Sequence, residues 1–283
     1  MNTEQARKIG FIGGGNMARS LVGGLIQSGH DASAIHVSDP SDAALEAMGK
    51  LGNVQLGGDN DAVVAAVDVV VLAVKPQAMG SVLTPLAPRL AQRKPLLLSI
   101  AAGLTSQALA SWAGPLPLVR CMPNTPALVG TGMSVLYATE AVDAAGRKDA
   151  ETVMRSAGEV LWVEQEAQLD AVTAVSGSGP AYFFHMMEAM IAAGVEQGLD
   201  EQTSRALVLQ TALGAARMAK ESGTDPGELR RQVTSPGGTT AAALGVFAEG
   251  DLMGLVSRAV AAATERSVTL TAELAPSAPS TRG

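Results

Sequence analysis

The sequence predicts an α/β doubly wound sheet followed by an all-α C-terminal domain. From Lys8 to Glu164, short β-branched runs alternate with helix-length segments, a rhythm that indicates a parallel sheet covered by helices. Several of these runs are apolar throughout, as expected for strands that are buried on both faces. After Glu164 the strand signals stop and only helical spacing continues. Because 283 residues exceed what one core usually fills, two domains are expected.

The elements follow from the spacing of apolar residues and from turn and cap residues. The predicted strands are Lys8–Ile12, Ala34–Ser38, Val67–Val74, Pro95–Ile100, Pro117–Met122, Met133–Tyr137 and Leu161–Val163. The helices between them include Asn16–Ser28, Ser41–Lys50 and Thr105–Ala113. The C-terminal helices are Ala181–Gln197, Glu201–Ser222, Glu228–Val233, Thr240–Glu249 and Leu252–Glu273, with Asp200 and Asp225 as predicted N-caps. We therefore predict a first domain over 1–164, a helical domain over 165–274 and a flexible tail over 275–283.

Composition excludes several classes of protein. A hydrophobic content of 47% with 17% charged residues excludes a disordered chain. The net charge of −7 argues against a nucleic-acid partner or an anionic membrane surface. A single cysteine allows no internal disulfide, and the polar start shows no secretory signal, so we expect a soluble cytoplasmic protein. Aromatic residues make up only 3%, which suggests close backbone packing through small side chains.

A glycine-rich turn follows the first predicted strand and opens a helix. It reads Gly13-Gly14-Gly15-Asn16-Met17-Ala18, which is Gly-x-Gly-x-x-Ala in a strand–turn–helix context. Gly13 permits the tight turn, Gly15 leaves room for a pyrophosphate, and Ala18 lets helix and strand pack closely. Backbone N–H groups and the helix dipole would hold the phosphates. The motif predicts a Rossmann-type dinucleotide-binding domain; the alternative is a plain tight turn.

The end of the second strand bears on which dinucleotide binds. Asp39 follows Ser38 there, and an acid at this place accepts hydrogen bonds from a ribose 2′-hydroxyl, which favours NAD. No Arg or Lys occurs between Asp39 and Met48 to meet a 2′-phosphate. However, Asp39-Pro40-Ser41-Asp42 also has the pattern of a turn and helix cap, and the hydroxyl of Ser38 or Ser41 could bind a phosphate. The choice between NADPH and NADH stays open at this point.

Six segments together resemble the pyrroline-5-carboxylate reductase family, over Lys8 to about Leu270. They are Phe11–Ala18, Ala73-Val-Lys-Pro76, Ser99-Ile-Ala-Ala-Gly103, Met122-Pro-Asn-Thr-Pro126, Val175-Ser-Gly-Ser-Gly-Pro-Ala-Tyr182 and Ser235-Pro-Gly-Gly-Thr-Thr240. The resemblance implies reduction of Δ1-pyrroline-5-carboxylate to L-proline by hydride transfer from NADPH or NADH, in a homodimer that could assemble further. A protonated imine needs no metal or covalent nucleophile, and three histidines with one cysteine predict no metal site.

The glycine turn, the end of the second strand and this resemblance together predict the residues of the coenzyme site. They are the glycine turn with Gly13, Gly14, Gly15, Asn16, Met17 and Ala18; Ser38 and Asp39; Asn60 at the adenosine ribose; Ala73, Val74, Lys75 and Pro76; Ala101 and Ala102; and Asn124 and Thr125 near the nicotinamide amide. Each has a plainer interpretation. Lys75 could be a solvated charge at a helix start, Asn60 an ordinary helix cap, and Asn124 a turn residue that satisfies local backbone.

The segment Ser235–Thr240 is the candidate substrate site. Its glycines free the backbone to wrap a small anion, and the following helix N-terminus suits a carboxylate. We predict a carboxylate site at Ser235, Gly237, Gly238 and Thr239, and the resemblance makes Thr240 the hydroxyl that bonds the ring nitrogen. The alternative is a glycine-rich turn between helices. For Ser176–Pro180 we favour a packing role, and for Cys121 a buried side chain without catalytic function.

Two rival functions come from different classes. A β-hydroxyacid dehydrogenase shares this layout but typically uses a lysine in its second domain, and none occurs between Lys148 and Lys220. A non-catalytic dinucleotide-binding module would not need the candidate anion loop at 235–240. We therefore predict an NAD(P)H-dependent imine reductase.

Overall fold

A mostly parallel eight-stranded sheet forms in the N-terminal part of the chain. The computed structural model describes residues 7–274. Each of the seven predicted strands is present, and the structure adds a short one, Gln55–Gly57, whose three residues are exposed and carry no apolar pattern. The strands are β1 (Ile9–Ile12), β2 (Ile35–Ser38), β3 (Gln55–Gly57), β4 (Val69–Leu72), β5 (Leu96–Ser99), β6 (Leu118–Pro123), β7 (Gly132–Ala138) and β8 (Gly158–Trp162).

Helices connect the strands and then make up the rest of the chain. The predicted N-caps Asp200 and Asp225 are confirmed, since each side chain accepts a hydrogen bond from the backbone of its helix. The helices are α1 (Asn16–Gln27), α2 (Asp42–Gly49), α3 (Asn60–Ala66), α4 (Met79–Arg93), α5 (Ser106–Ala113), α6 (Ala144–Arg155), α7 (Gln168–Val172), α8 (Gly179–Glu196), α9 (Glu201–Glu221), α10 (Pro226–Gln232), α11 (Thr239–Glu249) and α12 (Leu252–Leu274).

The strand order is β3-β2-β1-β4-β5-β6-β7-β8, so the chain changes direction across the sheet between β1 and β4. Such a switch point opens a crevice at the carboxyl ends of the strands, where open α/β sheets bind ligands. The sheet departs from the expected all-parallel arrangement at one pair, because β7 runs antiparallel to β6. The connection of residues 124–131 holds a single 3₁₀ turn, Thr125–Val129, which is too short for a parallel crossover.

Apolar side chains cover both faces of the sheet, as the uninterrupted apolar strands predict. Phe11 points into one core layer, which includes residues of α1 and α6. Ile12, the next residue of β1, points into the other layer, which includes residues of α3, α4 and α5. Helices on both faces define the doubly wound fold, and the fold class predicted from the sequence is confirmed.

The described chain divides into two compact units. Unit 1 holds residues 7–178 and 263–274, and unit 2 is the helical segment Gly179–Ala262. The domain limits drawn from the sequence stay a prediction, and the predicted tail at 275–283 lies outside the described residues. Within 7–274, no single helix is long and apolar enough to cross a membrane; α11 and α12 meet the length and composition criteria only as a pair bent by 53°.

Small residues bring helix backbones close together at the start of the fold. A Cβ added at Gly24 of α1 would collide with the backbone carbonyl of Ser156, the residue that ends α6. The Ser156 hydroxyl lies 3.1 Å from the carbonyl oxygen of Leu21 in α1 and 2.7 Å from that of Val153 in α6, so both oxygens compete for its one proton. At neighbouring Gly23, the nearest atom to an added Cβ is 3.9 Å away, on Leu51. A methyl group is therefore sterically blocked at Gly24 and accommodated at the adjacent Gly23.

This difference predicts opposite effects of the same substitution. Gly24→Ala should lower the free energy of unfolding by about 1–3 kcal/mol, because the Ser156 backbone must move to admit the methyl group. Gly23→Ala should raise it by up to about 1 kcal/mol, since alanine favours the helix and meets only ordinary contact. Denaturant unfolding of both variants measures the two changes in the free energy of unfolding. Equal effects would contradict backbone-to-backbone packing of α1 on the end of α6.

Candidate coenzyme and substrate sites

The glycine turn after β1 is built so that only glycine fits its first position. Gly13 has a φ of +103°, and an added Cβ would lie 2.6 Å from the carbonyl oxygen of Ala73. Its N–H donates to the carbonyl of Ser38 at 2.8 Å, which ties the turn to the end of β2. Gly15, by contrast, has ordinary dihedrals and no atom within 4 Å of an added Cβ. The first glycine is thus required by the protein's own backbone, and the third leaves open space beside the turn.

Helix α1 starts at this open space without a side-chain cap. Its N-cap is Gly15, which offers no side-chain acceptor to the first N–H groups of the helix. The six helices α2, α3, α5, α6, α9 and α10 each have a Ser, Thr or Asp side chain in that position accepting a backbone hydrogen bond. Uncapped N–H groups together with the helix dipole suit an anion such as a pyrophosphate.

A cleft of about 360 Å³ extends from the turn along the carboxyl ends of β1, β4, β5 and β6. It brings ten of the predicted coenzyme residues together and adds three that the sequence analysis did not assign, Ile100, Met122 and Pro123. Those three adjoin predicted residues, so the motifs Ser99–Gly103 and Met122–Pro126 held the signal for them. The ten predicted residues are Gly15, Asn16, Met17, Ala18, Ala73, Val74, Lys75, Pro76, Ala101 and Ala102.

Of the other predicted coenzyme residues, Ser38 and Asp39 lie at the end of β2, Asn60 at the start of α3, and Asn124 and Thr125 after β6. The buried hydroxyl of Ser38 donates to the Asn60 side-chain oxygen at 2.6 Å, so these two residues are in contact. Gly14 donates its N–H to the carboxylate of Asp39 at 2.7 Å, which links Asp39 directly to the glycine turn. The ribose-side residues therefore lie next to the turn, as a dinucleotide site requires.

Hydrogen bonds to Ser176 and Met133 fix the side chain of Asn124. Its amide nitrogen donates to the carbonyl and to the hydroxyl of Ser176, both at 3.2 Å, and its oxygen accepts from the N–H of Met133 at 2.9 Å. Ser176 belongs to a π-helical turn, Thr173–Gly177, whose Gly177 packs against the Met122 side chain. A contact from Asn124 or the exposed Thr125 to a nicotinamide stays a prediction, and for Asn124 it would compete with these bonds.

The segment Ser235–Thr240 forms a tight turn in unit 2, whereas the coenzyme cleft is formed within unit 1. Gly237 has a φ of +71°, and the N–H of Gly238 donates to the Ser235 carbonyl at 3.0 Å. Gly238 is the N-cap of α11 and, like Gly15, offers no side-chain acceptor. Thr239 and Thr240 then supply the first two N–H groups of an 11-residue helix. The second candidate anion site therefore has the same local design as the first.

Two titratable groups near β6 are not available for catalysis. Burial raises the pKa of the Cys121 thiol, only partly offset by a hydrogen bond with Ser134, so the thiol stays protonated and is not a nucleophile. Burial also acts to raise the pKa of Glu166, but hydrogen bonds from Ser106 and Arg120 outweigh it and hold that pKa below its usual value. Glu166 is thus an ionised structural anchor, with Arg120 at 2.7 Å.

Comparison with known proteins adds independent evidence. Residues 166–270 match the family model described as pyrroline-5-carboxylate reductase dimerisation, and residues 8–103 match one described as NADP oxidoreductase coenzyme F420-dependent. The pyrroline-5-carboxylate reductase of Pseudomonas aeruginosa is 50% identical over 268 residues, covering 94% of this chain and 98% of the relative.

Solved structures agree with this match. A pyrroline-5-carboxylate reductase from Coxiella burnetii superimposes with a TM-score of 0.91 at 42% identity, covering 96% of this chain and all of the other. The pyrroline carboxylate reductase of Plasmodium falciparum, solved with NADP bound, gives a TM-score of 0.81 at 32% identity, covering 94% of this chain and 98% of that one.

The doubly wound sheet, the glycine turn and these matches define an NAD(P)H-dependent oxidoreductase with a Rossmann-type coenzyme domain. The chain belongs to the pyrroline-5-carboxylate reductase family of proline biosynthesis. Its helical region carries the family's dimerisation segment.

Gly15 offers a clean test of the coenzyme site. Gly15→Leu should leave the melting temperature nearly unchanged, because its dihedrals suit any residue and the space around it is open. The same side chain should weaken NADH and NADPH binding about ten-fold or more, by filling the room for the pyrophosphate. Calorimetric titration measures the affinity.

A variant of Gly13 provides the contrast. Gly13→Ala should lower the melting temperature, because its positive φ and its approach to Ala73 disfavour any side chain. If Gly15→Leu bound both coenzymes as tightly as the unaltered protein, the open space beside the turn would not be the pyrophosphate site.

Proposed function

We propose that this protein reduces Δ1-pyrroline-5-carboxylate to L-proline with hydride from NADPH or NADH. The observation that carries the proposal is the pair of glycine-capped helix starts, at Gly15 and Gly238, that leave N–H groups open to an anion. One suits the pyrophosphate of a dinucleotide, and the other suits the carboxylate of a small substrate. Family membership supplies the identity of that substrate.

The cleft residues fit a dinucleotide, since the glycine turn provides close backbone approach and Ala73, Ala101 and Ala102 leave room for a flat ring. When bound, the coenzyme supplies the hydride. The small side chains at the strand ends orient the ring, and Lys75 brings a positive charge to the same cleft. Hydride adds to the carbon of the C=N bond while the ring nitrogen holds a proton, so one C–H bond forms and the imine becomes an amine.

In this proposal, the chain's other task is to hold the substrate. The N–H groups at the start of α11 and the turn residues Ser235, Gly237 and Gly238 bind the carboxylate. The Thr240 hydroxyl bonds the ring nitrogen: it donates to the neutral imine and accepts from the N–H once the imine is protonated. An unperturbed hydroxyl is a weak acid, so its contribution is mainly to position the imine. No metal or covalent intermediate is needed, because a protonated imine already accepts hydride.

We further propose that the chain acts as a homodimer in the cytoplasm, and that larger assemblies, where they form, are built from this dimer. The dimerisation segment of the family supports the dimer. Large apolar side chains on unit 2 give it a surface to bury, since in the single chain Phe183, Phe184, Val246 and Met253 are all exposed. The one cysteine, a buried free thiol, suits a reducing compartment.

The role of Thr240 predicts a split between catalysis and coenzyme binding. Thr240→Ala should lower kcat about ten-fold or more and leave the dissociation constants of NADH and NADPH unchanged, because only the imine loses a contact. Thr240→Ser, which keeps the hydroxyl, should recover most of the rate. Steady-state kinetics with pyrroline-5-carboxylate and a separate coenzyme titration measure both. Equal loss of rate and coenzyme affinity in the alanine variant would remove the assigned role.

A further inference from the structure

The carboxylate of Asp39 is fixed against the glycine turn by two backbone hydrogen bonds. One oxygen accepts from the N–H of Gly14 at 2.7 Å, and the other accepts from the N–H of Ser41 at 2.8 Å. A Cβ added at Gly14 would lie 3.4 Å from the Asp39 Cβ, so the side chain packs directly on the turn. Each carboxylate oxygen has a second lone pair free to accept from a ligand. Asp39 is therefore a preformed, half-buried acceptor beside the pyrophosphate site.

The surroundings of Asp39 add negative charge. Asp42 lies in the first turn of α2, and Asp59 is the N-cap of α3, the helix whose Asn60 contacts Ser38. Two basic residues of the neighbouring helices are paired with other acids, including Asp61. Arg89 binds both oxygens of Asp61 at 2.9–3.1 Å, and Lys50 pairs with Glu46 at 2.9 Å. The sequence from residue 39 to residue 49 contains no Lys or Arg.

The two hydroxyls at this place, Ser38 and Ser41, offer a 2′-phosphate little compensation for its charge. Ser38 is fully buried and its hydroxyl proton is directed to the side-chain oxygen of Asn60 at 2.6 Å. To donate to a 2′-phosphate, it would have to leave this partner. The Ser41 hydroxyl accepts from the N–H of Ala44 as the N-cap of α2 and keeps one proton to donate, but a single neutral donor does not balance the charge of a phosphate. Residues 38–49 thus offer a 2′-phosphate no cation, and the proton of the buried Ser38 hydroxyl is already in use.

We propose that Asp39 makes this protein select NADH over NADPH. The ribose 2′-hydroxyl of NADH can donate to the carboxylate, whereas a 2′-phosphate has no proton to donate and brings about two further negative charges to a site held by fixed carboxylates. A relative has NADP bound, so family membership alone does not decide the preference and the local charges of this chain do. The proposal rests on the proposed function only in assuming that the cleft binds a nicotinamide dinucleotide.

The test is a direct comparison of coenzyme affinities in the full-length protein. Titration with NADH and with NADPH, at equal and moderate ionic strength, should give a dissociation constant for NADPH about ten-fold or more above that for NADH. Asp39→Ser should reduce this ratio at least about ten-fold, by tightening NADPH and loosening NADH. Because binding needs no imine, the result stands apart from any failure of pyrroline-5-carboxylate reduction.

Two variants keep the experiment decisive. Asp42→Asn removes the same charge from the first turn of α2 without touching the glycine turn, and it should lower the ratio by no more than about two-fold, because solvent screens this more distant charge. Asp39→Asn removes the charge with little change of shape and keeps an oxygen acceptor for one of the two amides, Gly14 or Ser41. It should shift the ratio in the same direction as serine, should the serine variant fold poorly. The proposal is overturned if the unaltered protein binds NADPH as tightly as NADH. It is equally overturned if both Asp39 variants keep the original ratio or Asp42→Asn shifts it as much.

Discussion

The structure depends on one constraint: an α-helix that begins at a glycine leaves its first N–H groups without a side-chain acceptor. At Gly15 and at Gly238 this happens in helices of 12 and 11 residues, each preceded by a turn that contains a glycine at a positive φ. Most other helices of the chain that follow a loop satisfy these donors with Ser, Thr or Asp. The two uncapped starts therefore lack a local partner, and a bound anion can take that place.

The two sites divide the chemistry in a way that suits imine reduction. A dinucleotide and a small amino-acid-like substrate each carry an anionic group remote from the reacting atoms. Binding those groups with backbone amides fixes position without introducing acids or bases near the imine. The protein therefore needs few reactive side chains, and Cys121, the residue with the most nucleophilic potential, is kept buried and protonated.

Much of the fold could be predicted from the sequence, because apolar runs and caps are local signals. The strands of the parallel core and the N-caps Asp200 and Asp225 were predicted from such local signals. The direction of β7 could not be predicted from its composition, since an apolar strand looks alike in parallel and antiparallel pairs; only the short connection 124–131 indicates it. The three exposed residues of β3 carried no pattern at all.

For the candidate site, the sequence predicted where the cleft lies but not the hydrogen-bond partners of its side chains. The turn and strand-end motifs located the cleft, because glycine and alanine spacing reports close approach of backbone. The hydrogen-bond partners of individual side chains could not be predicted in this way. Asn124 bonds to Ser176 and Met133, and Asp39 bonds to Gly14 and Ser41. Those hydrogen bonds depend on how the fold places segments that are up to 52 residues apart in the sequence. Sequence spacing carries no signal for them.

The most direct measurement is a crystal structure of the full-length protein with its coenzyme and L-proline. The account predicts coenzyme pyrophosphate oxygens within hydrogen-bond distance of the N–H groups of Gly15 and Asn16. It predicts the proline carboxylate on the N–H groups of Thr239 and Thr240, in the same chain or in a partner copy. A proline carboxylate bound by side chains elsewhere, with the start of α11 facing solvent in every copy, would contradict it.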